Sequence, residues 1–227
     1  MKWPRFVCVF ACLLLAVTGC SHPIPEYESK YTTPAPEPPT AAIALINDPY
    51  TGGASSGTQA WPAVVTARLR QQNIGIDAAV GAPDTPLTKQ VGAVVQPTTK
   101  VVVIFGSAGD SDSKNAGFPS DLARAVPQVK KTAPESKILM IGPAWIDGKP
   151  PKPLQAVRDA MKAEARTAGA TFIDPITDGW FVGQPDLIGP DQRTLTDAGH
   201  AYLAGKMAPL IAQQLQPLPA APPATPR

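Results

Sequence analysis

Aspartates are the residues best placed for acid–base chemistry in this chain of 227 residues. Asp48 and Asp110 each lie shortly after an apolar run of strand length, and Asp191 lies shortly before the last helical pattern. When carboxylates share a cleft, their repulsion raises the pKa of one of them, which suits it to transfer a proton near neutral pH. A cleft with these carboxylates and no compensating histidine would be acidic, and would favour a neutral polyol or a cationic group over an acyl anion.

Hydroxyl and imidazole groups are weaker candidates. Ser55 and Ser56 follow a glycine-rich turn and are expected to cap the helix after it. Ser107 follows an apolar run and is expected to be an ordinary loop hydroxyl. His200 lies at the start of a helical pattern, where we expect a structural role, and the other histidine, His22, lies in a proline-rich segment. No nucleophile with an adjacent base is evident among these residues.

The sequence indicates neither a metal site nor a cofactor. One histidine and no cysteine between residues 41 and 215 make a poor ligand set for a transition metal. The turn TGG at 51–53 has neither the lysine nor the spacing of a phosphate-binding loop. We therefore predict that the protein uses no metal and no cofactor.

Apolar runs and helical patterns alternate along the chain and predict the elements that position the candidate residues. The runs at 101–105 and 137–141 are continuous, as expected for parallel strands buried on both faces. The alternation predicts a three-layer α/β/α fold with a doubly wound, mostly parallel sheet, in which ligands bind at the carboxyl ends of the strands. Predicted strands cover 41–46, 74–79, 100–105, 137–142 and 170–173, and predicted helices cover 59–71, 87–95, 120–131, 153–167 and 196–215. Pro127 is expected to kink or end its helix.

The N-terminus resembles a bacterial export signal. Lys2 and Arg5 precede an apolar stretch at 6–17 that is short for a membrane span, and the sequence VTGC at 17–20 resembles a lipobox. This resemblance implies that Cys20 is lipidated and holds the protein at the outer face of the plasma membrane, in the cell envelope. An ordinary secretory signal or an uncleaved anchor is the alternative.

Composition divides the rest of the chain. We predict a signal at 1–20, a proline-rich tether at 21–40, one folded domain at 41–215 and a Pro/Ala-rich tail at 216–227. All cysteines fall within the signal, so the domain is expected to be stable without disulfides. Without the two basic residues of the signal, 18 of the 20 basic residues remain and balance the 18 acidic ones. A neutral chain without a basic cluster argues against a nucleic-acid partner.

The segment INDPYTGG at 46–53 resembles the first sequence block of the SGNH (GDSL) hydrolases, which reads Gly-Asp-Ser-Tyr-Thr-x-Gly. The serine of that block is the nucleophile of the family, and Pro49 occupies its position. In the second block, a glycine after the second strand helps to bind the oxyanion through its backbone N–H, and Gly81 fits this place.

The third and last blocks also show the resemblance and also lack the family's reactive residues. The third supplies an asparagine in Gly-x-x-Asn-Asp, whereas the sequence GSAGD at 106–110 has Gly109 there, or Ala108 in a shorter register. The last block reads Asp-x-x-His-Pro and is followed by a helix that starts Asp-Ala-Gly-His. Here Asp191 remains, but Thr194 takes the position of the histidine, two residues before the helix start TDAGH at 196–200.

The resemblance implies a five-stranded flavodoxin-like fold with no intact catalytic set. It implies a cleft formed by Asp48, Gly81, Gly106, Asp110 and Asp191. Two functions follow from it. One is a catalytically inactive binding or scaffold module in the cell envelope, with a glycan, lipid or protein partner. The alternative is an esterase, acyl hydrolase or acyltransferase acting on envelope glycans or lipids through a rearranged site that uses Asp48, Asp110 or Asp191 as the acid–base group.

Overall fold

Short runs of apolar and β-branched residues form one parallel sheet in the computed structural model, which describes residues 40–50, 59–82, 85–112, 115–190 and 194–216. The described residues belong to one compact unit. The elements in chain order are β1 (Thr40–Ile46), α1 (Trp61–Arg70), β2 (Gly75–Val80), α2 (Leu87–Val94), β3 (Thr99–Phe105), α3 (Phe118–Thr132), β4 (Lys137–Ile141), α4 (Lys152–Ala168), β5 (Thr171–Ile173) and α5 (Asp197–Leu215). Turns of 3-10 helix at Ala108–Ser111 and Pro185–Leu187 lie in the loops.

The strand order is β2-β1-β3-β4-β5, and every neighbouring pair is parallel. This confirms the predicted doubly wound fold. The central strands β1 and β3 end side by side, with Ile46 paired to Ile104. The chain moves outward in opposite directions from these two strands, to β2 on one side and to β4 on the other. In open α/β sheets, ligands bind in the crevice at this switch point, outside the carboxyl ends of the strands.

Alternate residues of the central strands face two separate layers of helices. Val103 and Phe105 pack with α1 and α5 on one face, whereas Val102 and Ile104 pack with α2, α3 and α4 on the other. These strand residues are fully buried. Because both faces are covered, continuous apolar runs are required, and this is why the sequence pattern identified the strands.

Each predicted element is present, and each boundary lies within two residues of its predicted position. Of the two effects expected of Pro127, a kink or an end of its helix, the end does not occur, because α3 continues through it to Thr132. Val126 and Val129 on either side of Pro127 are buried against the sheet, and this packing offsets the backbone hydrogen bond that proline cannot make.

No helix in the described part of the chain is long and apolar enough to cross a membrane. The predicted signal, most of the tether and nearly all of the tail lie outside the described residues, and so does Cys20.

Candidate functional site

A cleft of about 730 Å³ lies at the carboxyl ends of β1 and β3, between the N-terminal ends of α2 and α3. It therefore lies at the switch point of the sheet. The described residues that line it are Asn47, Asp48, Pro49, Thr85, Pro86, Leu87, Thr88, Lys89, Ser107, Gly109, Asp110, Asn115, Gly117, Phe118, Asp121 and Arg124. Pro49 and Gly109, which occupy two of the family's reactive positions, both lie in this lining.

Asn47 links the loop after β1 to the loop after β3. Its backbone has φ of 56°, in the left-handed region, which asparagine tolerates better than most residues. Its side-chain amide donates one hydrogen bond to the Phe105 carbonyl at 2.9 Å and another to Asp110 Oδ2 at 2.8 Å. An amide has two N–H groups, so both are used inside the protein. Sequence reasoning missed this residue, although asparagine in place of the family's first glycine was visible.

Gly81 does not lie in the described lining, and its backbone N–H donates to the Leu45 carbonyl at 2.8 Å. The expectation that this N–H still serves an oxyanion is therefore wrong for this structure. A Cβ at Gly81 would collide with the side chain of Gln90. The absence of a side chain at Gly81 thus leaves room for Gln90, whose Oε1 accepts the Asn47 N–H at 2.8 Å.

Gly106 also lies outside the described lining. Its N–H donates to the Ile141 carbonyl at 2.8 Å, and a Cβ would press on Met161 and on Pro143. Glycine is needed here for close packing beneath the loop, so the predicted place of Gly106 in the cleft is wrong.

The Asp110 carboxylate is the centre of a local hydrogen-bond network. Its Oδ2 accepts the Ser107 N–H at 2.7 Å, the Ser107 hydroxyl at 2.9 Å and the Asn47 amide at 2.8 Å. Burial raises the pKa of Asp110, and the hydrogen bonds from Ser107 and Asn47 partly oppose this. Asp110 thus combines a position in the cleft with a raised pKa, as predicted for one of the carboxylates. The cause is desolvation, with like-charge repulsion from Asp112 as the smallest contribution.

Asp48 lines the cleft but is only 6% exposed, and it holds the loop after β1 against α1. Its Oδ2 accepts the indole N–H of Trp61 at 2.9 Å, and its Oδ1 accepts the Tyr50 N–H at 2.9 Å. Burial, followed by the negative charge of Asp48, raises the pKa of the Tyr50 hydroxyl. Both oxygens of Asp48 thus have structural partners, which argues against the predicted role in binding or acid–base chemistry.

Of the last sequence block, the structure describes Thr194 and Leu195, and neither belongs to the described lining of the cleft. The carbonyl of Thr194 accepts the Gly189 N–H at 2.8 Å, and Leu195 is buried in the core. His200 is fully buried, and its Nδ1 accepts the backbone N–H of Trp61 at 3.3 Å. The structure gives His200 the structural role that its position at a helix start predicts.

The rim of the cleft carries two cations that sequence reasoning did not assign to it, Lys89 on α2 and Arg124 on α3. Asp121 joins the two helices, because it accepts the Leu87 N–H and the Thr88 hydroxyl and also pairs with Arg124 at 3.4 Å. The described lining therefore has mixed charge, with three carboxylates and two cations, and is less acidic than the sequence suggested. A sequence pattern does not reveal this contact, because the two helices are distant in the chain.

Some predicted features fall outside the described residues. These are Asp191, the turn at 51–53, and Ser55 and Ser56. Within the described residues, no group of three or more His, Cys, Asp or Glu side chains is arranged to hold a metal ion.

Comparisons with known proteins agree on one family. The model of the GDSL-like lipase/acylhydrolase family matches residues 48–202. A GDSL lipase of Mycobacterium tuberculosis is 36% identical over 194 residues, which cover 76% of this chain and 82% of that protein. Among solved structures, a lipase/acylhydrolase from Enterococcus faecalis has a TM-score of 0.61 at 16% identity, over 79% of this chain and 100% of that one. The acetyl xylan esterase AlAXEase has a TM-score of 0.58 at 14% identity, over 75% of this chain and 99% of that one. These structural likenesses establish a shared fold.

Proposed function

We propose that this chain, which belongs to the GDSL-like lipase/acylhydrolase family, is a catalytically inactive member that acts as an exported, lipid-anchored binding or scaffold module in the cell envelope. The observation that carries this proposal is Pro49 at the position of the nucleophile, in the lining of the cleft. Proline has neither a hydroxyl nor a backbone N–H. One residue thus removes both the nucleophile and a donor for the oxyanion.

The groups around Pro49 do not replace what it lacks. Gly109 has no side-chain donor, the Asn47 amide is used by Phe105 and Asp110, and the Gly81 N–H is used by Leu45. Loss of a single oxyanion donor costs about 10²–10³ in rate. Loss of the nucleophile, the base and the donors together leaves no step of acyl transfer supported.

The cleft itself is retained, and this supports binding as the remaining function. Its volume of about 730 Å³ falls in the range of about 300–1,000 Å³ that is usual for small-molecule sites. The fold neighbours include an acetyl xylan esterase and lipases, so we propose a glycan of the envelope as the ligand, with a lipid or a basic loop of another protein as alternatives. The cations at the rim disfavour the basic loop.

A second candidate function rests on the hydrogen bond between Ser107 and Asp110. Both line the cleft, and the pKa of Asp110 is raised by burial. In this alternative, Ser107 Oγ attacks an acyl carbonyl while its proton passes to Asp110, and the alcohol leaves with that proton. Water then releases the acid from the serine. The three hydrogen bonds to Asp110 Oδ2 weaken it as a base, so we favour the first function.

Hydrolysis of p-nitrophenyl acetate by the exported protein without its signal separates the two. We expect the unmodified protein to hydrolyse the ester no faster than it hydrolyses spontaneously in the assay buffer. The Ser107→Ala variant should give the same rate. Ser120, which is exposed on α3, provides the matched control Ser120→Ala. Turnover that Ser107→Ala or Asp110→Asn abolishes, and Ser120→Ala does not, would establish the alternative and refute the inactive site.

A further inference from the structure

The acidic groups of the described lining are engaged by partners within the protein. Both oxygens of Asp48 accept hydrogen bonds, and Oδ2 of Asp110 accepts three. Both oxygens of Asp121 accept donors from the start of α2. Donors of this kind compensate part of the charge of a carboxylate, so the carboxylates of the cleft attract a cationic ligand less than their number suggests.

The cations of the lining face the opposite situation. Lys89 is exposed, and among the residues that the structure describes, its ammonium makes no ion pair. The side chain of Arg124 is 66% exposed and makes a single contact of 3.4 Å with Asp121. A guanidinium has five N–H donors, so most of those of Arg124 remain available to a ligand.

The two cations are held on facing elements that are fixed to each other. Lys89 lies in the first turn of α2 and Arg124 in the second turn of α3. Asp121 fixes the start of α2 to α3, because it binds the N–H of Leu87 and the hydroxyl of Thr88. The N–H of Leu87 is therefore not free for an anion, and the side chains of Lys89 and Arg124 provide the positive charge.

We infer that the cleft binds an acidic saccharide, whose carboxylate or phosphate group is held by Lys89 and Arg124. This inference rests on the proposed binding function and specifies its ligand. Arginine pairs with planar oxyanions through two parallel hydrogen bonds, and lysine adds a point charge. The apolar surfaces of Pro49, Pro86 and Phe118 line the same cleft and suit the C–H face of a sugar ring.

Oligogalacturonate and its methyl ester test the inference, because the ester has the same sugar rings without the negative charges. Calorimetric titration of the exported protein without its signal should show the acid binding more tightly than the ester. Lys89→Gln and Arg124→Gln should each weaken binding of the acid about two- to fivefold, as expected for exposed charge pairs. The double variant should weaken binding of the acid about tenfold, as the two effects add, and should leave binding of the ester unchanged.

Matched controls and salt dependence sharpen this test. Lys131 and Arg70 are exposed at the ends of α3 and α1, so Lys131→Gln and Arg70→Gln should bind the acid as the unmodified protein does. Raising the salt concentration from about 0.05 to 0.5 M should weaken binding of the acid and leave binding of the ester unchanged. The reason is that the screening length for charges falls to a few ångströms. All four variants change exposed side chains, and circular dichroism confirms that they are folded.

The outcomes separate this inference from the function on which it rests. Equal affinity for the acid and the ester, unchanged in Lys89→Gln and Arg124→Gln, would overturn the cationic site and leave glycan binding intact. Absence of binding to either saccharide would overturn the inference, whereas the inactive site is tested separately by ester hydrolysis. If inorganic phosphate competes with the acid as strongly as glucose 6-phosphate does, the cleft does not recognise the sugar, and the inference that its ligand is a saccharide is overturned.

Discussion

At the scale of single residues, two positions of the family pattern have exchanged their side chains. In the family, the first block begins with a glycine, before Asp-Ser, and the third block contains an asparagine. This chain has Asn47 at the position of that glycine and Gly109 at the position of that asparagine. The structure shows where the amide now lies, since Asn47 reaches across to the carbonyl of Phe105 and to Asp110. The exchange turns a group that the family uses for catalysis into one that joins two loops.

Substitution of Asn47 tests this structural role. Asn47→Gly removes two side-chain hydrogen bonds but tolerates the positive φ, so we expect a loss of about 1–3 kcal/mol in the free energy of unfolding. Asn47→Ala adds the cost of a left-handed alanine, about 1–2 kcal/mol. Urea denaturation should therefore rank Asn47→Ala below Asn47→Gly. The reverse order would show that the backbone at this position relaxes freely.

Asp110 gives the domain a specific pH dependence. Its pKa is raised by burial, so the folded state binds a proton more tightly than the unfolded chain does. Between the ordinary aspartate pKa of about 3.9 and the raised folded value, the contribution of Asp110 to stability falls as the pH rises. Asp110→Asn should abolish this pH-dependent contribution to stability. When the urea midpoint of each protein is plotted against pH, the slopes for Asp110→Asn and the unmodified protein should therefore differ.

The control for this measurement is Asp147→Asn, since Asp147 is exposed in a loop. It should follow the unmodified protein throughout. Parallel curves for Asp110→Asn and the unmodified protein would show that burial of Asp110 does not shift its protonation.

The loss of catalytic groups could be predicted at this scale, but their surroundings could not. Pro49 and Gly109 are assigned by their places in sequence blocks, and both lie in the cleft. Gln90 and Asp121 contribute through hydrogen bonds to residues 43 and 34 positions away. Polar side chains on helices have no periodic signal that distinguishes a buried partner such as Gln90 from a solvated one.

At the scale of elements, the sequence was sufficient wherever burial controls the pattern. The central strands are apolar on both faces and are found within two residues of their predicted ends. Pro127 is the position where local backbone preference gave a kink or an end as alternatives, and the helix does not end there, because the buried face of α3 continues on both sides. Tertiary packing prevailed over local propensity, as it often does in helices.

Two glycines of α5 should respond in opposite ways to alanine. A Cβ at Gly199 would collide with the carbonyl of Leu187, which is fixed by the N–H of Thr196 at 3.1 Å. We expect Gly199→Ala to cost about 1–3 kcal/mol through overpacking. At Gly205 the nearest atom is the flexible end of Arg68 at 3.1 Å, so Gly205→Ala should stabilise the helix by about 0.5–1 kcal/mol.

Thermal unfolding of the two variants provides the measurement, and each serves as the control for the other. If Gly199→Ala unfolds at the same temperature as the unmodified protein, the contact between the start of α5 and the loop that contains Leu187 is not rigid.

At the scale of the whole molecule, the proposed function combines a binding cleft with an anchor. The segment at 21–40 contains six prolines, and proline-rich linkers extend by about 3 Å per residue. Such a tether would let the domain reach tens of ångströms from the membrane. A binding module gains from this arrangement, because tethering raises its local concentration near envelope ligands.

Anchoring through Cys20 is the prediction that belongs to this scale. Stable attachment to a membrane needs more than one acyl chain, which a lipidated N-terminal cysteine would supply. In phase separation with a detergent, the full-length protein should enter the detergent phase, and Cys20→Ala should move to the aqueous phase or stay unprocessed. Cys12→Ala is the matched control, because Cys12 lies within the apolar stretch, and it should behave as the unmodified protein. Retention of processed Cys20→Ala in the detergent phase would refute lipidation, and an unmodified protein that keeps its apolar stretch uncleaved would indicate that this stretch is the anchor.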